Sequence, residues 1–279
     1  MVTPSSHSKN DLPATKIMGV INLSPDSFYP DSRVPTVAGV LKVAERMIEE
    51  GADYLDVGAE SSQPGAKPVS EEEELAIILP VVSQLCKKIA VPVSVDTYKP
   101  GVAQKVLDVG VAIINDITGL RSPEMAPIIA KYDAGVVIMH MLGTPATMQE
   151  KIHYDDCVGE IRQFLDQGIQ TAEAAGIAPE RIWVDPGIGF GKTVEHNLEI
   201  ISRLETFSVL GKPLLLGTSR KSFIGKILDL PVAERLEGSL ATAVIGIIKG
   251  AEILRVHDVL ETSRAVKIVN EVLKFQHGE

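Results

Sequence analysis

From Lys16 to Val256 the chain alternates short apolar runs with longer amphipathic segments, and it does so eight times. The runs Lys16–Val20, Tyr54–Val57, Pro92–Val95, Ala112–Ile114, Gly135–Met139, Ile182–Val184, Pro213–Leu216 and Ile253–Val256 read as strands buried on both faces. Between the first two, Val37, Val40, Leu41, Ala44, Met47 and Ile48 fall on one face of a 3.6-residue period. Ser70 with Glu73 forms a capping box, and Ser122 before Pro123 predicts a second capped start. The acids of Glu71–Glu74 then read as first-turn residues at a helix N-terminus. Strict strand–helix alternation restricts the fold to a parallel sheet covered by helices: a barrel, or a doubly wound open sheet.

The connections separate these two. Helix-to-strand turns are short and marked by Gly51, Gly110 and Gly250, as expected of a glycine just past a helix end. Strand-to-helix connections hold nearly all the unusual chemistry: Asn22 to Arg33, Glu60 to Pro68, Asp96, Asn115-Asp116, His140, Asp185 to Lys192, Ser219 to Ser222, and Arg255 to Asp258. Polar groups after every strand, and at that end only, predict a (β/α)8 TIM barrel with its active site at the C-terminal face of the strands. An open sheet would gather them at one crevice.

At 279 residues and 45% hydrophobic, the chain is long enough for one such barrel over residues 16–279, with residues 1–15 as a loose tail. Folding should hide about three quarters of the unfolded surface. That start carries no apolar run, so neither a signal peptide nor a membrane anchor is expected. Cys86 and Cys157 have no metal-ligand spacing and read as reduced thiols of a cytoplasmic protein. A net charge of −10 without a basic stripe argues against nucleic acid as a partner. An acidic protein that takes an anionic ligand must therefore concentrate its cations locally.

Ser219-Arg220-Lys221-Ser222 follows the seventh strand and Arg255-Val256-His257 the eighth, where TIM barrels often hold phosphate. A diphosphate or phosphate site is the expectation there, with Arg supplying a fork and Lys a compact charge. Asp96, Asn115 and Asp185 each end a hydrophobic strand. Two carboxylates and an amide facing inward suit a flat heterocycle rich in N–H donors, although Asp96 could instead cap the next helix. The turn Asp185-Pro186-Gly187-Ile188-Gly189-Phe190-Gly191-Lys192 has neither P-loop nor dinucleotide spacing. In a chain only 4% aromatic, Phe190 is placed either to stack on a planar ligand or simply to pack. His140, between Met139 and Met141, reads as a core or supporting residue. The long loops Asn22–Asp31 and Glu60–Ala66 read as lids.

Taken in order, one set to each strand, these motifs resemble the dihydropteroate synthase family: Met18-Gly19-Val20-Ile21-Asn22 with Pro25-Asp26-Ser27-Phe28, Gly58-Ala59-Glu60-Ser61, Ser94-Val95-Asp96-Thr97, Ile114-Asn115-Asp116, Met139-His140-Met141, the Asp185–Lys192 turn, Ser219–Ser222 and Arg255–Val259. The resemblance implies transfer of the methylene carbon of 6-hydroxymethyl-7,8-dihydropterin diphosphate to p-aminobenzoate, in folate biosynthesis. It also implies a sulfonamide target and a homodimer. It gives Asp96, Asn115, Asp185 and Lys221 to the pterin, with Met139 at the same site. Arg255, His257 and Ser62 fall to the diphosphate, Asn22 to a Mg²⁺ that bridges it, and Ser222 and Phe190 to the aminobenzoate. Asp31 takes the place of a family aspartate after a one-residue insertion, and joins Lys221, Arg255 and His257 as a catalytic candidate. Two departures bear on the lids: Ser62-Gln63 stands where the family carries Thr-Arg, and Tyr29-Pro30-Asp31-Ser32-Arg33 replaces its Ser-Asp-Gly-Gly. A pterin-binding methyltransferase barrel and a non-catalytic pterin-binding barrel are the competing readings.

Overall fold

Val and Ile dominate the strand runs because branched side chains fit a pleated surface covered on both faces. In the computed structural model, which describes residues 15–23, 36–61, 65–66 and 68–276, they form one parallel sheet. Its strands are β1 (Lys16–Asn22), β2 (Tyr54–Gly58), β3 (Val93–Asp96), β4 (Ile113–Asp116), β5 (Gly135–Met139), β6 (Ile182–Asp185), β7 (Leu215–Leu216) and β8 (Ile253–Val256). They run in the order β6-β5-β4-β3-β2-β1-β8-β7, and a bridge between Val184 and Leu214 brings β6 round to β7. The predicted (β/α)8 barrel is the observed fold.

The strand interiors alternate, and the barrel is filled in layers. Met18, Ile113, Val137, Leu215 and Ile253 form an apolar plug, backed by Tyr54 and Trp183, whose rings meet edge-on at 5.0 Å. Two residues further along the same strands stand Val20, Asn115, Met139, Gly217 and Arg255, with Asp185 two beyond Trp183. A two-residue step therefore carries each strand from dry plug to polar mouth. Register aligns the polar ends: Asn22 lies opposite Gly58, Gly58 opposite Asp96, and Asp96 opposite Asn115. Met139 pairs with Asp185 in the same way.

The helices cover the outside. Helix α1 (Val37–Glu49) buries Val40, Ala44 and Met47, and α2 (Glu71–Lys88) starts with the expected capping box at Ser70 and Glu73. The outer layer continues through α3 (Pro100–Asp108), α4 (Met125–Lys131), α5 (Cys157–Ala174) and α6 (Val194–Ser202) to α7 (Ser222–Leu228), α8 (Leu236–Ile248) and α9 (Val259–Gln276). Gly51, Gly110 and Gly250 all take positive φ at helix-to-strand turns, as predicted.

Two expectations need correction. Ser122 does not cap α4: that helix follows Glu124 without a side-chain cap, and Ser122 instead accepts the Met125 N–H through its carbonyl. Five strands also run past their apolar residues to Asn22, Gly58, Asp96, Asp116 and Asp185, because the parallel ladder goes on pairing backbone after the hydrophobic run has ended. Among the described residues, no helix is long and apolar enough to cross a membrane.

Candidate active site

The barrel mouth encloses a cavity of about 420 Å³, open solvent included. Asp96 and Asn115 line one side, and Met139 and Asp185 another. Phe190, Lys221, Arg255 and His257 close the rest, with Ile117, Ile188, Gly217 and Ser219 between them. Eight of the residues expected at the site thus meet in one place. Asn22 ends β1 beside them, exposed, its Oδ1 as close as Asp96 Cγ (3.9 Å) to the point where a Cβ on Gly58 would stand. Ser222 is not among the lining residues; it is exposed as the first residue of α7. Asp31 and Ser62, with Gln63, Tyr29 and Arg33, lie outside the described residues.

Arg255 organises the charges. Its Nε donates to Asp56 Oδ2 over 2.7 Å and its Nη2 to Asp96 Oδ2 over 2.8 Å. Burial works against the guanidinium, but Asp56 and Asp96 outweigh it and hold its pKa above the ordinary value. Asp96 and Asp185 are both raised, burial being the main cause in each and nearby cations opposing it. Lys221 is depressed to about 8 by burial and by Arg255, against the pull of Asp185 and Asp96. Its amine sits 4.1 Å from the centre of the Phe190 ring, a cation–π contact. His257 is driven down to about 4 by burial and Arg255, so it is neutral near pH 7. Its Nδ1 meets Ser219 Oγ at 3.0 Å, and its backbone N–H donates to the same oxygen over 3.2 Å.

Not every cation of the two phosphate-favouring loops faces the cavity. Arg220, at φ 54, turns away and grips Asp258 with Nε and Nη2 at 2.8 and 2.7 Å. It ties the two loops together, leaving Lys221 and Arg255 as the cations among the described lining residues, with neutral His257 beside them.

The turn after β6 is folded by its own carboxylate. Asp185 Oδ1 accepts the Gly187 N–H over 2.7 Å. At Gly187, φ is +70 and a Cβ would stand 1.9 Å from the His140 carbonyl oxygen, so only glycine fits. His140 is buried and its ring meets the Lys192 amine, a supporting role as expected.

Asp56 was missed in the sequence. It is fully buried, joins Arg255, and accepts from Asn115 Nδ2 over 3.2 Å. The signal was a lone carboxylate inside the apolar run Tyr54–Val57. Lys99 was missed too: it bridges Glu60, at the foot of the second long loop, and buried Glu74. Tyr98 adds a 2.9 Å hydrogen bond to Glu60. Glu60, Glu74 and Tyr98 line a smaller cavity that shares Asp96 and Ile117 with the first.

The family model described as pterin binding enzyme matches residues 18–257. The chain is 44% identical over 269 residues to the dihydropteroate synthase of Escherichia coli K12, covering 96% of this chain and 95% of that one. The chain belongs to the dihydropteroate synthase family. The Bacillus subtilis dihydropteroate synthase is 42% identical over 268 residues, with 95% and 92% of the two chains covered. Among solved structures, the Yersinia pestis dihydropteroate synthase with a sulfonamide drug complex superposes with a TM-score of 0.90 at 41% identity, covering 94% and 95%. The Xanthomonas albilineans dihydropteroate synthase with 4-aminobenzoic acid gives 0.87 at 40% identity, covering 94% of each. The motifs that suggested a dihydropteroate synthase thus identified the family correctly.

Proposed function

We propose that this dihydropteroate synthase barrel condenses p-aminobenzoate with 6-hydroxymethyl-7,8-dihydropterin diphosphate, releasing diphosphate. One observation carries the reading: the cavity sets Asp96, Asn115 and Asp185 against Lys221, Arg255 and His257 within a single mouth. The acceptor groups fit the N–H edge of a pterin, and the cations beside them fit an anion. A methyltransferase barrel has use for the first set only, and a carrier has no use for a preorganised anion clamp.

In the reaction the C–O bond between the pterin methylene and the diphosphate breaks. A C–N bond forms from the aminobenzoate amine, which then loses a proton. No side-chain nucleophile is required, and the work of the protein is electrostatic. Arg255 is suited to it because Nε and Nη2 are held by carboxylates, which fixes the fork in place; among the described residues Nη1 has no partner. Lys221 lies within electrostatic reach of Asp96, Asp185 and Arg255. Neutral His257, its Nδ1 facing Ser219 Oγ, offers Nε2–H as a donor in the tautomer in which Ser219 donates to Nδ1.

A Mg²⁺ suits Asn22. That ion takes one or two protein oxygens and completes its shell with phosphate and water. The amide oxygen at the end of β1 would be such a ligand. When bound it would neutralise charge on the leaving diphosphate. Asp31 and Ser62 remain candidates for the lid side, and Ser222, at the mouth-facing end of α7, for the aminobenzoate carboxylate.

Pairing of two copies is supported by exposed apolar side chains on neighbouring helices: Ile245 and Ile248 on α8, and Ile268 and Val272 on α9. Sedimentation equilibrium tests it, with a monomer as the contrary result. The activity is tested by mixing purified protein, pterin diphosphate, aminobenzoate and Mg²⁺. Diphosphate release that depends on aminobenzoate, with dihydropteroate as product, is expected; no acceptor-dependent release overturns the reading.

A further inference from the structure

Three consecutive carbonyls in the turn after β6 are each held by a different side chain. Gln149 Nε2 donates to Gly189 O over 3.0 Å, Lys192 Nζ to Phe190 O over 3.1 Å, and the Tyr154 hydroxyl to Gly191 O over 2.9 Å. Lys192 also reaches a second strand end. Its amine meets His140 Nδ1 at 2.9 Å and His140 O at 3.5 Å, and His140 directly follows β5.

The Lys192 side chain is almost entirely enclosed, with 4% of the residue exposed, and its three partners are two carbonyls and a ring nitrogen. That ring is neutral, because burial and the Lys192 charge hold His140 down to about 2. A buried amine among uncharged acceptors is expensive, and an apolar side chain would fill the same space more cheaply. Burial lowers the pKa of that amine to about 7; in its charged form the lysine adds three donor directions from one atom, which join the end of β5 to the Phe190 carbonyl. Residues on both sides of this clasp line the cavity: Met139 before His140, and Phe190 itself.

We propose that Lys192 is a positioning residue for the acceptor side of the site. It fixes the turn after β6 against β5 and so sets where the Phe190 ring stands beneath Lys221. The substrate half of this inference rests on the function proposed above; the clasp itself does not. Lys192 does not line the cavity, whereas Phe190 does, so loss of the lysine should act through Phe190.

Two readouts test this. Hydrogen–deuterium exchange of the free protein needs no substrate. In Lys192→Met the amides from Gly187 to Lys192 should exchange about tenfold faster, with the outer helices unchanged. In steady-state kinetics the same variant should raise KM for p-aminobenzoate about tenfold and change kcat less than about threefold. In a Phe190→Leu background, Lys192→Met should add less than about twofold, since coupled residues are not additive. Tyr154→Phe removes one hydroxyl from the same turn, so it carries both tests, with smaller effects, if Lys192→Met does not fold. Unchanged exchange in the turn, or KM effects that multiply fully in the double variant, overturns the proposal. If the wild-type protein shows no turnover, the function reading fails while the exchange result still decides the clasp.

Discussion

Arg255 and Asp56 meet across β1, the guanidinium Nε of one donating to the carboxylate Oδ2 of the other over 2.7 Å. Asp56 has no exposed surface, so this bond belongs to the interior of the barrel as much as to the site. Breaking a buried pair by removing one partner leaves a charge uncompensated and typically costs about 3–5 kcal/mol. Asp96 remains to hold Arg255, so Asp56→Asn should fall at the lower end, about 3 kcal/mol by urea denaturation. A loss below about 1 kcal/mol would show that Asp96 alone suffices.

Lys221→Ala should lower kcat/KM for the pterin diphosphate by about 2–4 kcal/mol, the scale of losing one preorganised donor. Steady-state kinetics at pH 7 check it. Near wild-type efficiency would remove Lys221 from the anion side of the cavity.

The pH dependence follows from the same lysine. Its pKa in the free folded protein is about 8, below the ordinary 10.5, chiefly through burial. Between these values the unfolded chain binds the proton and the folded one does not, so this group adds stability as pH rises from about 8 to 10.5. Anion binding runs the other way, because the site loses charge over that range. Pterin diphosphate should bind more weakly above about pH 8, and at pH 9 its binding should take up a proton. Calorimetry in buffers of different ionisation enthalpy measures that uptake, which Lys221→Met should abolish.

Asp185→Asn should preserve the fold, since its amide oxygen can still accept the Gly187 N–H that Asp185 accepts now at 2.7 Å. Pterin affinity should nevertheless fall by about 3 kcal/mol or more, because an amide N–H₂ would face ring N–H groups. Titration with a pterin analogue decides it; undiminished affinity removes Asp185 from ligand recognition.

Gly187→Ala combines a positive φ of 70 with a Cβ 1.9 Å from the His140 carbonyl. A destabilisation of about 2–4 kcal/mol is expected by thermal or chemical denaturation. A change under about 1 kcal/mol would mean that the turn relaxes freely.

Much of this was legible in the sequence because a barrel strand is read by twos. Once Trp183 and Ile253 are in the plug, Asp185 and Arg255 must point into the mouth two residues later. Asp56 escaped because its partner lies 199 residues away, a distance over which no local pattern extends. Arg220 and Ser222 flank Lys221 in sequence, yet the first turns to Asp258 and the second to solvent. Such rotation depends on one left-handed residue, Arg220 at φ 54, and nothing in the spelling Ser-Arg-Lys-Ser announces it. Ser122 misled for a related reason: its backbone carbonyl, not its hydroxyl, makes the turn.

The join between β6 and β7 is the thinnest part of the barrel wall, a single bridge from Val184 to Leu214 beside a strand of two residues. Asp185 stands on one bank of that seam and Lys221 on the other. A pterin gripped by both would serve as an extra rung across it, so that substrate and backbone together complete the hoop. Occupancy of the mouth would then stiffen the wall itself, and the amides of Leu215 and Leu216 would report ligand although neither residue lines the cavity.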